Sequence, residues 1–242
     1  MSEWFESLKA EFVLNFVDSN RWKYLVDGLG NTLKITLFAL ILGVVLGIII
    51  AIVRSSYDKT YATMRPGIGK ALLCFFDKIC RLYLTIIRGT PVVVQLMIIY
   101  YIIFASSNNG VAIAILAFGI NSAAYVAEIV RSGIMSIDNG QFEAGRSLGF
   151  NYVQTMWHVI IPQAFKNVLP ALANEFITLL KETSVAGYVS VMDLTKAGDI
   201  IRGRTYSAFM PLIAVALVYL ILVIFFTWLV GKLERRLRVS EH

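Results

Sequence analysis

Charged residues are scarce in this chain of 242 residues. Asp, Glu, Lys and Arg make up 16% of it, whereas a soluble domain carries about 25%. Hydrophobic residues reach 57%. This composition excludes an ordinary soluble protein, because so much apolar surface would remain in contact with water, and it favours an integral membrane protein whose solvent is lipid.

Cysteine and histidine are also rare, with two residues of each type. Cys74 and Cys80 have five residues between them, which is neither a C-x-x-C redox pair nor a common zinc spacing. No H-E-x-x-H is present, and His158 has no carboxylate or cysteine at catalytic spacing. We therefore predict no catalytic residues, no metal site and no cofactor.

Long runs without charge dominate the rest of the chain. A helix needs about 20 apolar residues to cross a bilayer, and the apolar stretches predict spans at 35–53, 91–105, 111–131, 159–180 and 205–231. The fourth of these is interrupted by Lys166 and Glu175. The second and third spans belong to one uncharged stretch, divided by a polar turn at 106–110. The expected fold is an all-α integral membrane protein with five transmembrane helices.

The basic residues lie between these apolar runs, which is typical of topology signals and not of nucleic-acid binding. Fourteen Lys and Arg residues fall on the face that holds 54–88, 131–166 and the C-terminus, against eight on the other face. The positive-inside rule then places the N-terminus outside and the C-terminus in the cytoplasm. Within 54–88, residues 71–88 alternate apolar runs with single charges, which predicts an amphipathic helix at the membrane surface.

A short helix is predicted in the loop before the fourth span. Asp138 and Gln141 have the spacing of a capping box, and Glu143 is expected in the first turn, where a negative charge suits the helix dipole. Gly149 is expected to end the helix in the left-handed conformation. Small residues at Ala144 and Gly145 favour close approach of another surface, so the helix is either a docking element or an ordinary capped loop helix.

The same segment resembles the E-A-A-x3-G-x9-I-x-L-P signature of the permease subunits of ATP-binding-cassette importers. Glu143, Ala144 and Gly149 match it, followed after nine residues by Val159 and Pro162. Gly145 departs from the usual Ala, and Val159 and Ile161 replace the usual Ile and Leu. The resemblance implies a cytoplasmic coupling helix, with Glu143, Ala144, Gly145, Leu148 and Gly149 as the residues that meet the ATPase subunit.

Other segments are similar to the polar amino acid permeases of this superfamily. They are Arg88-Gly89-Thr90-Pro91, Asn121-Ser122-Ala123-Ala124-Tyr125, Pro162-Gln163-Ala164-Phe165, Leu180-Lys181-Glu182-Thr183-Ser184 and Leu233-Glu234-Arg235-Arg236-Leu237. The resemblance covers most of residues 31–238, which are predicted to form a transmembrane permease domain. The topology given by the basic residues then makes 1–30 an extracytoplasmic N-terminal segment and 239–242 a cytoplasmic tail. It also implies a second permease chain, identical or related, an extracytoplasmic solute-binding protein and a separate ATPase subunit.

The residues support the prediction of a separate ATPase subunit independently of the resemblance. A phosphate-cradling loop requires G-x-x-x-x-G-K-[ST], but Gly69-Lys70 is followed by Ala71, and Gly231-Lys232 by Leu233. Since the chain carries no such loop, ATP hydrolysis has to come from another chain. The chain is predicted to be a transport subunit in the cell membrane and not an enzyme.

Polar side chains within the predicted spans are candidates for a solute pathway, because ionisable groups there are costly and usually face a bundle interior. Glu128 shares a helix face with Asn121, and its alternative role is an ion pair with Arg131. Glu175 lies near the middle of the fourth span, where it contacts solute, pairs with Lys181 or meets a partner chain. The candidate pathway residues are Gln95, Asn121, Glu128, Asn174 and Glu175.

Two other classes of protein fit the sequence less well. A membrane-embedded enzyme would need a nucleophile with a base, or a set of metal ligands, and the sequence shows no such arrangement. A secondary transporter or channel for small polar solutes is the main alternative, although the sequence shows no internal repeat of the kind many secondary transporters carry. The sequence therefore predicts the permease subunit of an importer for polar amino acids, without indicating which amino acid.

Overall fold

The computed structural model describes residues 2–239, with the side chains of residues 4–237. This part of the chain is almost entirely helical and contains no β-strand. Ten α-helices follow one another between residues 2 and 239: α1 (Ser2–Phe12), α2 (Trp22–Thr60), α3 (Ile68–Gly89), α4 (Val92–Ile98), α5 (Gly110–Met135), α6 (Asn139–Ser147), α7 (Tyr152–Thr155), α8 (Ile161–Glu182), α9 (Leu194–Thr205) and α10 (Phe209–Val239). π-helical turns extend α4 as far as Ile103 and join α7 to α8.

Among the described residues, three helices are long and apolar enough to cross a membrane, namely α2, α5 and α10, and a fourth span results if α3 and α4, with its π-helical extension, are counted as one bent span. Helices α2 and α5 contain the predicted spans 35–53 and 111–131, and α10 contains most of 205–231. Helix α8 has 22 residues but carries Lys166, Pro170 and Glu175. The all-α membrane fold is confirmed, and the count of five spans stays a prediction.

Helix boundaries reflect local capping where the sequence offers it. The polar turn predicted at 106–110 ends with the Asn109 side chain, whose oxygen accepts a hydrogen bond from the Ala112 amide at the start of α5. Helix α2 has 39 residues and begins at Trp22, so it extends well beyond the predicted span. The proposed boundary between residues 30 and 31 therefore falls inside a continuous helix. Of the predicted tail, residues 240–242 lie outside the described residues.

The chain divides into two compact units, and each is described by itself. The first comprises the described residues up to Ala39, with Val92–Phe118 and Ile177–Leu229. The second comprises Leu40–Pro91, Gly119–Phe176 and the described residues from Val230 onward.

In the second unit, glycines allow α2 and α5 to pack with their backbones close together. We call this contact, formed at Gly43, Gly47 and Gly119, the glycine seam. A Cβ atom added at Gly47 would lie 2.6 Å from the Val126 side chain, and one at Gly119 would lie 2.6 Å from Leu42. Small residues permit this close approach in membrane helices, where van der Waals packing holds helices together.

Also in the second unit, a buried carboxylate fastens α3 to α2. The side chain of Asp77 is 3% exposed and accepts hydrogen bonds from Arg54 and Arg81, each at 2.7 Å. Removing either guanidinium would leave the buried negative charge with only one cationic partner, which is costly. We call this arrangement the Asp77 clamp.

In the first unit, the loop before α9 is held against α2. Asp193 is fully buried and caps α9 by accepting hydrogen bonds from the Thr195 and Lys196 amides. Burial raises the pKa of the Asp193 carboxyl, while these amide donors favour its ionised form. The Thr32 hydroxyl accepts a hydrogen bond from the Leu194 amide at 3.0 Å, so this end of α9 is fixed in position.

Candidate functional site

Helix α6 begins as the sequence predicts, with one difference. Asp138 is the N-cap, and its carboxylate accepts a hydrogen bond from the Gly140 amide at 2.6 Å. The capping box expected between Asp138 and Gln141 is not formed there; Asn151 and Gln154 form one at the start of α7 instead. Glu143 is the fifth residue of α6, so its predicted place in the first turn is wrong.

Gly149 terminates helix α6 as predicted, directly after the C-cap residue Leu148. Gly149 has a φ of +84°, in the left-handed region where a side chain is strained. Its amide donates to the Arg146 carbonyl oxygen at 2.9 Å, and the Phe150 amide donates to that of Gly145 at 3.1 Å. These two bonds form a Schellman motif, so the length of α6 is fixed at both ends.

One side of α6 packs against the helices that precede and follow it. Phe142 joins a cluster of apolar side chains centred on Ile134 and Ile160. Gly145 is buried, and a Cβ atom added there would lie 2.7 Å from Cγ2 of Thr155 in α7. The expectation that Gly145 belongs to a face open to a partner protein is therefore not met, because its own chain covers it.

A polar contact also joins α6 to the end of α2. The Lys59 ammonium donates to the Asn139 side chain at 2.7 Å and lies 4.5 Å from the centre of the Phe142 ring. An open groove of about 260 Å³ lies beside this contact, lined in part by Glu143, Arg146 and Tyr152. Displacement of α6 would therefore act on α2 directly.

The opposite side of α6 is solvent-exposed. It presents Glu143, Ala144, Ser147 and Leu148, and the Leu148 side chain is 75% exposed. A leucine exposed to this extent favours contact with another surface. Four of the five predicted coupling residues, all except Gly145, thus lie at or beside this exposed face.

Among the predicted pathway residues, Glu128 forms its alternative contact. Its carboxylate accepts from Arg131 at 3.1 Å, and the same guanidinium donates to Asp58 in α2 at 3.2 Å. These three side chains are each about one quarter exposed. They connect the last turns of α5 to the last turns of α2, near the contact between Lys59 and α6.

Glu175 has a partner that the sequence did not indicate. Its Oε1 accepts a hydrogen bond from the Ser122 hydroxyl at 2.8 Å, and both residues are buried. Asn121, next to Ser122, is 2% exposed. The Asn174 side chain is exposed and donates to the Pro170 carbonyl oxygen at 3.1 Å. Gln95, in the first unit, is buried.

The contacts that sequence reasoning missed join residues far apart in the chain. Ser122 and Glu175 are 53 residues apart, and Lys59 and Asn139 are 80 apart. No local pattern reports such pairs; the only signal for Ser122 was its position beside Asn121. Among the described residues, no group of His, Cys, Asp or Glu is arranged to hold a metal ion.

These features define a class of protein: a multi-pass helical membrane protein with a short, rigidly capped helix in the loop before α8. Comparison with known families is then specific. Residues 67–239 match the family described as the binding-protein-dependent transport system inner membrane component. The chain belongs to this family of permease subunits of ATP-binding-cassette importers. ATP hydrolysis belongs to a separate subunit, as predicted, so the chain itself is not an enzyme.

Relatives match over nearly their whole length. The arginine transport system permease protein ArtQ of Bacillus subtilis (strain 168) is 36% identical over 221 residues, which cover 90% of this chain and 94% of that protein. The putative glutamine transport system permease protein GlnP of Rickettsia bellii (strain RML369-C) is 36% identical over 234 residues, covering 95% and 99%.

Solved structures share the fold. A chain from the crystal structure of an amino acid ABC transporter with histidines has a TM-score of 0.78 and 38% identity, covering 91% of this chain and 98% of that one. The inward-facing MetNI methionine ABC transporter has a TM-score of 0.74 at 23% identity and covers 89% and 97%, which supports the fold alone.

Proposed function

We propose that this chain moves polar amino acids across the cell membrane as the permease subunit of an importer. Two relatives at 36% identity are named for arginine and glutamine transport, and a structure at 38% identity is titled an amino acid transporter. The buried pair of Glu175 and Ser122 supports a polar solute, because a membrane protein carries an intramembrane carboxylate at a cost of about 2.5–3.5 kcal/mol on insertion scales.

The observation that carries the mechanism is the two-sided character of α6. One side is joined to the bundle through Phe142, Gly145 and the contact between Asn139 and Lys59. The other side is exposed and ends in Leu148. A helix that is capped at both ends and exposed on one side can transmit a displacement caused by a partner protein to the bundle without bending. We propose that Glu143, Ala144, Leu148 and Gly149 meet a cleft of the ATPase subunit.

The further partners of the chain follow from the same proposal. A second permease chain, identical or related, completes the pathway, and a solute-binding protein delivers the solute from outside. The excess of Lys and Arg in 54–88, 131–166 and the C-terminus supports an external N-terminus, a cytoplasmic C-terminus and a cytoplasmic α6. Residues 1–30 are then extracytoplasmic, 31–238 form the permease domain and 239–242 the tail.

Within the permease, we assign the pathway first to Glu175 and Asn121, which are buried in the second unit. Gln95, which is buried in the first unit, stays a candidate from the sequence alone. Asn174 is exposed on the same helix as Glu175. Glu128 is ion-paired to Arg131, which supports a role at the end of the pathway and not in direct solute recognition.

Substitution at Leu148 tests the coupling proposal. Leu148→Glu places a charge on the exposed apolar side chain without disturbing the buried side of α6, and Leu148→Met is the matched control. We expect Leu148→Glu to lower co-purification with the ATPase subunit and ATP-driven uptake by about tenfold or more, the loss expected for a desolvated contact residue. The thermal midpoint of the purified chain should not change.

Unchanged co-purification and uptake in Leu148→Glu would exclude α6 as the ATPase contact. The solute is tested separately by measuring uptake of radiolabelled amino acids into proteoliposomes that contain the permease, the ATPase subunit and the binding protein. Uptake that follows an ion gradient and continues without ATP would instead support a secondary transporter.

A further inference from the structure

The surface of helix α3 consists of three sectors of different character. With 100° between successive residues, the side facing the second unit carries Asp77 and Leu84, which are buried. A second sector consists of exposed apolar side chains, and their exposed fractions range from 47% to 61%: Leu72, Phe75, Phe76, Ile79, Leu82 and Ile86. We call this the apolar sector of α3.

The third sector is basic. Lys70, Lys78, Arg81 and Arg88 all fall within roughly 80° of the helix circumference, between the packed side and the apolar sector. The only acidic residue of α3 is Asp77, which is buried and already paired. The exposed surface of α3 therefore combines an uninterrupted apolar sector with a purely cationic one.

The rotation of α3 about its axis is fixed by its packed side. The Asp77 clamp holds it to Arg54, and Leu84 packs against Ala124 and Ala127 of α5. The apolar and basic sectors are consequently presented outward together, and neither can turn inward without breaking a buried ion pair, which costs about 3–5 kcal/mol.

The position of Lys78 decides how this surface meets the membrane. Lys78 is exposed and lies at the midpoint of the 22-residue helix. In a helix that crossed the bilayer facing lipid, its ammonium would lie in the hydrocarbon core, at a cost of about 2.5–3.5 kcal/mol on insertion scales. A helix lying in the interface avoids that cost, because its apolar side enters the acyl boundary while its cations remain among the headgroups.

We propose that α3 is an anionic-phospholipid binding element, which lies in the cytoplasmic interface with its apolar sector against acyl chains and its basic sector against lipid phosphates. Charge complementarity selects this occupant, since segment 54–88 carries seven Lys and Arg residues and only two acidic residues. An open cavity of about 460 Å³ at the first half of α3, lined by Tyr61, Lys70, Cys74 and Lys78, provides a place for the headgroup.

Lys70 is positioned for this role. Its ammonium donates to the Met64 carbonyl oxygen at 3.2 Å and lies 4.5 Å from the centre of the Tyr61 ring. These contacts hold the charge at the cavity while leaving further N–H donors of the ammonium for a phosphate oxygen. The proposal concerns lipid recognition and does not rest on the identity of the transported solute.

Lipid retention tests the proposal. The full chain is purified from mixed micelles containing equal phosphatidylglycerol and phosphatidylcholine, and the retained lipids are counted by native mass spectrometry. Lys70→Gln with Lys78→Gln should lower the preference for phosphatidylglycerol by up to about 30-fold, since each cation near an anionic surface contributes about a factor of five. Lys9→Gln with Lys23→Gln removes the same charge from exposed sites elsewhere and should leave the preference unchanged.

An equal loss in both double variants would show a general charge effect and overturn the proposal, and so would no loss in either. High salt provides a further check, because screening lowers an exposed electrostatic preference. The preference of the unsubstituted chain should therefore fall when the salt concentration is raised from about 0.05 M to about 0.5 M.

The orientation of α3 has its own test. Spin labels are placed singly at Phe75, Ile79 and Ile86 in a chain with Cys74→Ser and Cys80→Ser, reconstituted in vesicles containing phosphatidylglycerol. An interfacial helix gives one shallow depth at all three positions. A spanning helix gives depths that change by about 16 Å between the outer labels, at 1.5 Å per residue, and labels shielded from both lipid and water would show a protein partner; either result overturns the proposal.

Discussion

The packing of Gly145 against Thr155 yields a quantitative prediction for Gly145→Ala, which installs the residue usual in this family. An added Cβ would lie 2.7 Å from Cγ2 and 2.9 Å from Oγ1 of Thr155. Thr155 is 1% exposed, and a side-chain rotation does not relieve the contact, because both of its γ atoms are close and its Cβ lies at 3.3 Å. Helix α6 or α7 must therefore shift.

The expected cost combines two opposing terms. Overpacking costs about 1–3 kcal/mol, while replacing Gly by Ala inside a helix gains about 1 kcal/mol. Gly145→Ala should therefore destabilise the chain by about 0–2 kcal/mol. In a Thr155→Ala background both γ atoms are absent, so the same substitution should be neutral or stabilising by up to about 1 kcal/mol.

A double-mutant cycle measures this coupling. Thermal midpoints of the purified single and double variants give the interaction free energy between the two positions, expected at about 1–3 kcal/mol. ATP-driven uptake should fall in Gly145→Ala and recover in the double variant, because the position of α6 is restored. Additive effects on stability, with uptake unchanged by Gly145→Ala, would refute the tight contact between α6 and α7.

Further predictions concern the seam, the buried pair and an acidic residue outside the spans. Gly47→Leu should lower the folded yield through overpacking of about 1–3 kcal/mol, whereas Gly30→Leu, with no atom within 4 Å of its added Cβ, should not. Ser122→Ala removes a donor to the Glu175 carboxylate and should cost about 1.5–3 kcal/mol; unchanged stability in thermal unfolding would contradict this contact. Bonds from neighbouring cations lower the pKa of Asp199, so its contribution, roughly 0.2–1 kcal/mol, is present above the usual range for Asp and lost as the pH falls through the lowered pKa. Asp199→Asn should flatten that acid dependence of the thermal midpoint, and an unchanged slope would contradict the ion pair.

Sequence reasoning succeeded where structure is decided locally. Asp138 as a helix cap and Gly149 as a left-handed terminator were both predictable, because caps and terminators act on residues within one turn. The choice of capping box was wrong, since the Asp138 pattern recurs in Asn151-x-x-Gln154 and spacing alone does not select which pair closes.

The rest depended on contacts between distant segments. The sequence indicated that Gly145 was small but not which surface came close to it, and Thr155 proved to be that surface. The role of Glu128 was open between two alternatives until Arg131 and Asp58 were placed beside it. Helix α2 exceeds its predicted span because hydrophobicity marks the part that lipid covers, whereas helical hydrogen bonding continues through polar residues to Thr60.

The glycine seam has a mechanical consequence. In the seam, side chains of one helix lie directly against glycines of the other, so sliding or rotating one helix against the other either opens a void or forces a clash, and both are costly in a close-packed interior. Where they meet in the glycine seam, α2 and α5 therefore behave as a single stiff body. Any hinge of a conformational cycle therefore lies elsewhere in the chain. Replacing a glycine of the seam by a larger residue should lower the yield of folded protein before it alters transport.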